Sequence, residues 1–276
     1  MPPQIYLDCK LRSRGYSTKR YKALRSAYYN KPTPLQQESY DLHLIGLVRQ
    51  NNVQAFQEII KSGVSQNPSN SHAESFVHMV SRRGNAALLK ILLENGASVQ
   101  ISDDYGRNPL HDACWAAEPA FDVVKMILER DVRLFHMIDA RGHSPLNYVR
   151  KDHWAEWVEF LDAHMDVYWP QQDAQSEQEP PSLVSEEPNT RPLADPVNVL
   201  DLQLVKMVAG GRMKPYEAVL LDKEGEDDGT IGTIDDDSSS YYSSDDEDQS
   251  YYSSDEEEEE DTDDFLAHLP CHSGRG

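Results

Sequence analysis

Between Ser39 and Pro170 apolar residues recur at helical spacing, and successive runs end in the same way. Phe56-Gln57-Glu58-Ile59-Ile60-Lys61-Ser62-Gly63 and Leu89-Lys90-Ile91-Leu92-Leu93-Glu94-Asn95-Gly96 each put large aliphatics on one helix face and stop at glycine. The two glycines lie 33 positions apart. Val124-Lys125-Met126-Ile127-Leu128-Glu129 repeats the run, with Asp131 where the glycine is due, and Trp157-Val158-Glu159-Phe160-Leu161 is a weaker fourth copy. A repeated amphipathic helix that cannot bury its face alone predicts a stack of similar units.

The front of each unit carries the more specific signal. Asp104-Tyr105-Gly106-Arg107-Asn108-Pro109-Leu110-His111-Asp112-Ala113 is followed by Asp139-Ala140-Arg141-Gly142-His143-Ser144-Pro145-Leu146-Asn147-Tyr148. Gly106 and Gly142 suit a turn with positive φ, Asn108 and Ser144 suit a helix N-cap, and Pro109 and Pro145 suit the first helical position, where no N–H is needed. Ser75 to Gly84 is the corresponding stretch of the second unit, without the proline, and the loop from Trp115 to Ala120 is about two residues longer than its counterpart.

This opening resembles the D-x-x-G-x-T-P-L-H-x-A motif of the ankyrin-repeat family. More weakly, Asp103 to Arg107 and Asp112 to Trp115 resemble uncharacterised microalgal ankyrin-repeat proteins. The resemblance implies an all-α solenoid of about four helix-turn-helix units, with protruding hairpins and a concave face that binds another protein. By position it puts Asp103, Asp104, Tyr105, Arg141 and His143 at hairpin tips, and Trp115 joins them as a candidate partner-binding residue. It also gives His78 and His111 a structural role, hydrogen-bonding neighbouring backbone. Cys114 is expected in the core.

Stacked units need caps at both ends. Ser17 to Asn30 is expected to be a capping helix with a basic face, and the sharper reading is a basic, tyrosine-bearing arm for nucleic acid or an acidic partner. Trp154, Trp157, Phe160, Tyr168 and Trp169 gather aromatic area where the array stops, mainly as core and cap. The expected organisation is a basic arm or capping helix over 1–38, repeats over 39–170, a disordered linker over 171–195, a short helical hairpin over 196–222 capped by Asn198, and a disordered acidic tail over 223–276.

Charge follows the same division. Of the formal net charge of -22, the stretch 171–276 holds about 29 acidic against about 6 basic residues, so the rest is close to neutral. Its Ser240-to-Asp246 pattern recurs at Ser250 to Glu256, and Ser243, Ser244, Ser253 and Ser254 each precede an acid by three residues. These are candidate phosphorylation sites for an acid-directed kinase. Three widely spaced cysteines without a C-x-x-C argue against a disulfide framework or a cysteine zinc site and favour a reducing compartment. No apolar run approaches a membrane span, which gives an expectation of a cytoplasmic or nuclear protein.

No phosphate-binding glycine loop, zinc-protease or nucleophile-elbow motif is present, so neither an enzyme nor a cofactor is expected. The expected function is that of an adaptor or scaffold, a monomer binding another protein through the concave face and regulated by its tail. The alternative is a nuclear or histone-binding factor whose acidic tail contacts a basic protein. Nucleic acid is not the expected partner.

Overall fold

A computed structural model describes residues 1–172 and 200–228, with side chains to residue 223. The chain divides into a unit over Met1–Gly229 and a second over Thr230–Gly276. The second unit, with Ser243, Ser244, Ser253 and Ser254, and the linker beyond Gln172 lie outside the described residues.

Three helix pairs form the array: α3 (Leu42–Arg49) with α4 (Val53–Ile60), α5 (Phe76–Arg82) with α6 (Ala86–Glu94), and α7 (Pro109–Trp115) with α8 (Phe121–Leu128). Each first helix is capped from a side chain: Asp41 Oδ1 accepts from His43 N, Ser75 Oγ from His78 N, and Asn108 Oδ1 from Leu110 N and His111 N. Phe56, Phe76, Leu88, Leu92, Leu110, Val123 and Ile127 are sealed between the layers. Five residues separate α7 from α8 where three separate α5 from α6, so the long loop is there, and Ala117 and Glu118 stand exposed on it.

The fourth unit departs from the pattern. Its first helix shrinks to a 3-10 turn, Pro145–Tyr148, and its second is the single long helix α9 (Trp154–Tyr168). Trp157, Phe160 and Trp169 are buried there while Trp154 and Tyr168 are half-buried. With no further unit to cover it, this end is closed by aromatic area, Phe121 stacking on Phe160 at 4.5 Å.

The caps come from opposite ends of the chain. The expected helix over Ser17–Asn30 does not form; the helix lies earlier, as α1 (Pro3–Ser13), and packs on α9 at the far end of the array. Leu7 and Leu11 are buried there, worth about 2 kcal/mol each. Lys10 reaches Asp162 at 2.8 Å, Arg14 reaches Asp166 at 2.7 Å, and Tyr6 also donates to Asp162.

From α1 the chain runs back along the array as an extended arm. β1 (Tyr21–Lys22) pairs in parallel with β2 (Met137–Ile138) of the fourth unit, Tyr29 bridges Ser102 of the third, and Gln36, in α2 (Pro34–Glu38), accepts from Ser69 N of the second. Tyr21, Ala23, Ser26 and Tyr28 point inward and are buried, whereas Lys22, Arg25 and Ala27 face out. Tyr21, Leu24 and Tyr28, though at helical spacing, thus fall on a two-residue strand, a 3-10 turn (Ala23–Arg25) and the turn after it, and the array supplies part of the hydrogen bonding, through β2 and through Ser102 Oγ, which donates to Tyr28 O.

The opposite end is closed by the C-terminal helical hairpin, α10 (Leu202–Ala209) and α11 (Pro215–Asp228). Asp201, not Asn198, caps α10, and α11 runs beyond residue 222. α10 packs on α2, Leu200 N donates to Gly63 O at 3.2 Å, and Gly211 lies against the His43 ring, where a Cβ would come within 2.9 Å. Cys114 is buried and free.

Candidate protein-binding face

Three fingers, numbered second, third and fourth after the units they open, project between the helix pairs, all built by one device. Asp103 Oδ1 accepts from Tyr105 N and Arg107 N, Asp139 Oδ1 from Arg141 N and His143 N, and Asn70 Oδ1 from His72 N and Glu74 N. The side chain closes the turn by bonding its own backbone two and four residues on. The turn needs a left-handed residue, which is Gly106 at φ 78, Gly142 at φ 86 and Ala73 at φ 60. Adjacent fingers are tied by Asp104 N to His72 O at 3.0 Å and Ala140 N to Tyr105 O at 2.7 Å. The second finger is the one its sequence hid: asparagine stands for aspartate and alanine for glycine.

Two histidines staple the helices to these fingers. Ser75 N donates to His78 Nδ1 at 3.1 Å, so the ring proton sits on Nε2, which donates to Arg107 O at 3.0 Å. His111 repeats this with Asn108 N at 3.0 Å and His143 O at 3.1 Å. Burial pushes the His111 pKa down to about 4, so its ring is neutral at pH 7. This is the backbone-bonding role that the resemblance implied.

The sequence-derived tip residues separate into two groups. Asp103 is buried at 2% exposure, and besides closing its turn it is paired with Arg107 at 2.7 Å. This corrects its assignment to the binding surface, because a side chain committed to four intramolecular bonds is part of the finger. Asp104 faces solvent but is engaged by Tyr29 Oη of the arm at 2.9 Å. Tyr105 is 62% exposed and Trp115 47%, and Arg141 and His143 are also exposed.

Between Trp115 and His143 stands Tyr148, which the sequence reading left out of the site. Its ring lies 5.7 Å from Trp115 and 5.9 Å from His143, both edge-to-face, while its hydroxyl donates to Asp139. The spacing from His111 could have located it, since Tyr148 follows the residue that replaces this histidine in the fourth unit. Arg107 stacks over the Tyr105 ring at 5.1 Å. The result is an aromatic and cationic surface spanning the third and fourth fingers and the exposed end of α7.

Beside it, Arg82 bridges Glu74 at 2.5 Å and Asp112 at 2.7 Å. Burial raises the Asp112 pKa against the pull of Arg82. Glu74 is held below the usual carboxylate range, because Arg82 outweighs its burial. Asp112 and Trp115 are three residues apart on α7 and share a face. Among the described residues no group of three or more His, Cys, Asp or Glu side chains is placed to hold a metal ion, and no helix is long and apolar enough to cross a membrane.

Comparison with known proteins meets this geometry. The family described as ankyrin repeats, in three copies, matches residues 44–137. A stretch of 101 residues, 34% of this chain, is 35% identical to 6% of the E3 ubiquitin-protein ligase KEG of Arabidopsis thaliana. Another of 78 residues, 27% of the chain, is 33% identical to 32% of an ankyrin repeat protein of Rickettsia bellii (strain RML369-C). The chain therefore matches well under two thirds of the length of either relative. Among solved structures, the human ASB11 ankyrin repeat domain is 27% identical with a TM-score of 0.37, over 44% of this chain and 53% of that one. The repeated fingers, their histidine staples and the family match agree that residues 44–137 of this chain are ankyrin repeats.

Proposed function

We propose that the protein is an adaptor or scaffold that holds another protein across the third and fourth fingers and the first helix of the third unit. Ankyrin repeats are in general protein-interaction modules, and this fold is typically non-catalytic. The observation that carries the specific placement is the exposure of Tyr105 and Trp115 beside Tyr148 and His143. Large aromatics with a polar rim are the groups that most often dominate protein–protein binding energy. Trp115 leaves about half of its area in solvent even with its ring against Tyr148.

Affinity capture with the full chain, followed by the Trp115→Ala and Tyr105→Ala variants, tests this reading. Captured protein should fall at least tenfold with Trp115→Ala while the unfolding midpoint barely moves. Capture that survives both substitutions would place the partner elsewhere. The acidic tail is the regulatory part of the same proposal, supported by the concentration of charge beyond residue 170. Truncation to test it belongs after Gly229, because α10 and α11 close the first unit.

A further inference from the structure

A cavity of about 340 Å³ opens where the turn between α3 and α4 meets the turn between α5 and α6, at the opposite end of the first helices from the fingers. Arg49 is the last residue of α3, Arg83 is the C-cap of α5, and Asn51 and Asn85 stand in the turns, with Val48 and Ala86 as the apolar part of the lining. The two turns have the same build. Asn51 at φ 53 and Gly84 at φ 63 take the left-handed conformation at equivalent positions. Asn52 and Asn85 then cap α4 and α6 through Ala55 N and Leu88 N, at 3.2 Å and 3.1 Å.

What the cavity offers is hydrogen-bond donors. Asn85 Oδ1 accepts from Leu88 N, so its Nδ2 is the atom that reaches Asn51 at 2.8 Å, and the atom it reaches is Asn51 Oδ1. Asn51 Nδ2 is thereby left as a donor with no partner among the described residues. The guanidiniums of Arg49 and Arg83 carry only N–H donors and stay charged. Both side chains are exposed, and Arg83 makes no ion pair or side-chain hydrogen bond among the described residues. Among the same residues no carboxylate lines the cavity. Over residues 41–96 basic residues outnumber acidic ones, five to four, so the two units do not turn an anion away. A basic residue at a helix C-terminus answers the helix dipole, which accounts for one arginine on each helix. The dipole does not account for two guanidiniums and an unpaired amide opening on one space with no acid between them.

We propose that this cavity binds a phosphorylated serine or threonine side chain of a partner protein. A phosphomonoester at neutral pH brings close to two negative charges and three acceptor oxygens, which matches two guanidiniums and an amide, whereas a carboxylate brings one charge and two oxygens. The volume lies at the lower end of the range for ligand pockets, about 300–1,000 Å³, and suits one side chain. Among the described residues no aromatic ring lines it for a base to stack on, and Val48 and Ala86 offer too little apolar surface for an acyl chain. A phosphate carried by a protein therefore fits better than a nucleotide or a lipid. The site belongs to the first two units and not to the Trp115 face, and it rests on the reading of the array as a protein-binding module.

The probe is N-acetyl-phosphoserine N-methylamide, titrated into the unphosphorylated, isotope-labelled full chain and followed by the arginine Nε–H and asparagine amide resonances. Saturable shifts are expected at Arg49, Asn51 and Arg83, with affinity falling at least tenfold in Arg83→Gln and in Asn51→Asp. The second variant keeps the oxygen that Asn85 needs and puts a negative charge in the cavity, and an unchanged unfolding midpoint confirms the fold of both. The same probe without its phosphate is expected not to bind. Trp115→Ala is expected to bind the probe as the wild type does, so the finger face and this cavity can fail separately. Saturation that neither variant weakens, or no saturable shift at these residues, overturns the proposal. So does binding at least as tight by N-acetyl-glutamate N-methylamide, which makes the cavity a carboxylate site, or by inorganic phosphate, which makes it a site for a free anion.

Discussion

Replacing Tyr28 by phenylalanine deletes one oxygen and leaves the ring in place. In the folded protein that oxygen donates to Asp131 Oδ2 at 2.6 Å in a buried setting, and Tyr28 is only 4% exposed. Asp131 is where the repeat pattern calls for glycine. It also accepts from Gln100 Nε2 at 2.7 Å and from the guanidinium of Arg133 at 2.7 Å, and it caps the turn after α8 through Arg133 N at 2.9 Å. Burial acts to raise the Asp131 pKa, but the hydrogen bonds from Arg133, Tyr28 and Gln100 outweigh it and hold the carboxyl below its ordinary value. The departure from the family pattern is therefore the anchor of the arm.

A hydrogen bond to a charged acceptor contributes about 1.5–3 kcal/mol. Because Asp131 keeps its other donors, Tyr28→Phe should cost about 1.5 kcal/mol, and Asp131→Gly, which removes all of them, about 3 kcal/mol or more. Urea unfolding gives the loss in stability, and amide exchange over residues 20–30 should speed up more than exchange in α5 or α6. The two substitutions should be strongly non-additive, since they remove one shared interaction. A stability change for Tyr28→Phe below about 0.3 kcal/mol, with unchanged exchange in the arm, would refute this account.

Ala73→Gly should raise stability by about 0.5–1 kcal/mol, because Ala73 holds φ 60 where the other fingers use glycine; a lower urea midpoint would mean the packed methyl group outweighs the strain. Leu11→Ala, at a side chain with 0% exposure between α1 and α9, should cost about 2–5 kcal/mol and loosen the packing around Trp157 and Trp169, read by near-UV circular dichroism. An unperturbed near-UV spectrum would show that α1 does not close that end. His111 and His136 are each pushed down to about 4, by burial first, with Arg20 opposing charge on His136 as well. Folded pKa values below the ordinary 6.5 mean stability that is full above pH 6.5 and lost between 6.5 and about 4, on the order of 3 kcal/mol for each ring. His111→Gln should flatten part of that slope in urea titrations run from pH 7 to pH 4; an identical slope would locate the acid sensitivity elsewhere.

The repeats were legible in the sequence because their physics is local. The glycine that ends an aliphatic run recurs 33 residues on, from Gly63 to Gly96, the finger glycine, cap and proline recur 36 residues on, from Gly106, Asn108 and Pro109 to Gly142, Ser144 and Pro145, and each works within a few residues of itself. Where the local signal weakened, reading weakened too: Asn70 and Ala73 build a full finger that no motif announced. The ends were different. Tyr21, Leu24 and Tyr28 have helical spacing yet lie on a short strand, a 3-10 turn and the turn after it, and α1 closes the far end of the array while the C-terminal hairpin closes the near one.

No periodicity could give that exchange, because it rests on contacts between residues distant in the chain: Lys10 with Asp162, Tyr28 with Asp131 and Leu200 with Gly63. The same holds for the binding face. Sequence position placed Asp103 and Tyr105 side by side at a tip, but only the folded chain sends Asp103 inward to close the turn and leaves Tyr105 in solvent. The sequence by itself determined which units form, since turn, cap and helix preferences act through neighbours. Tertiary structure alone decided what covers the ends and which side chains remain free, since burial depends on which distant surface arrives to exclude water.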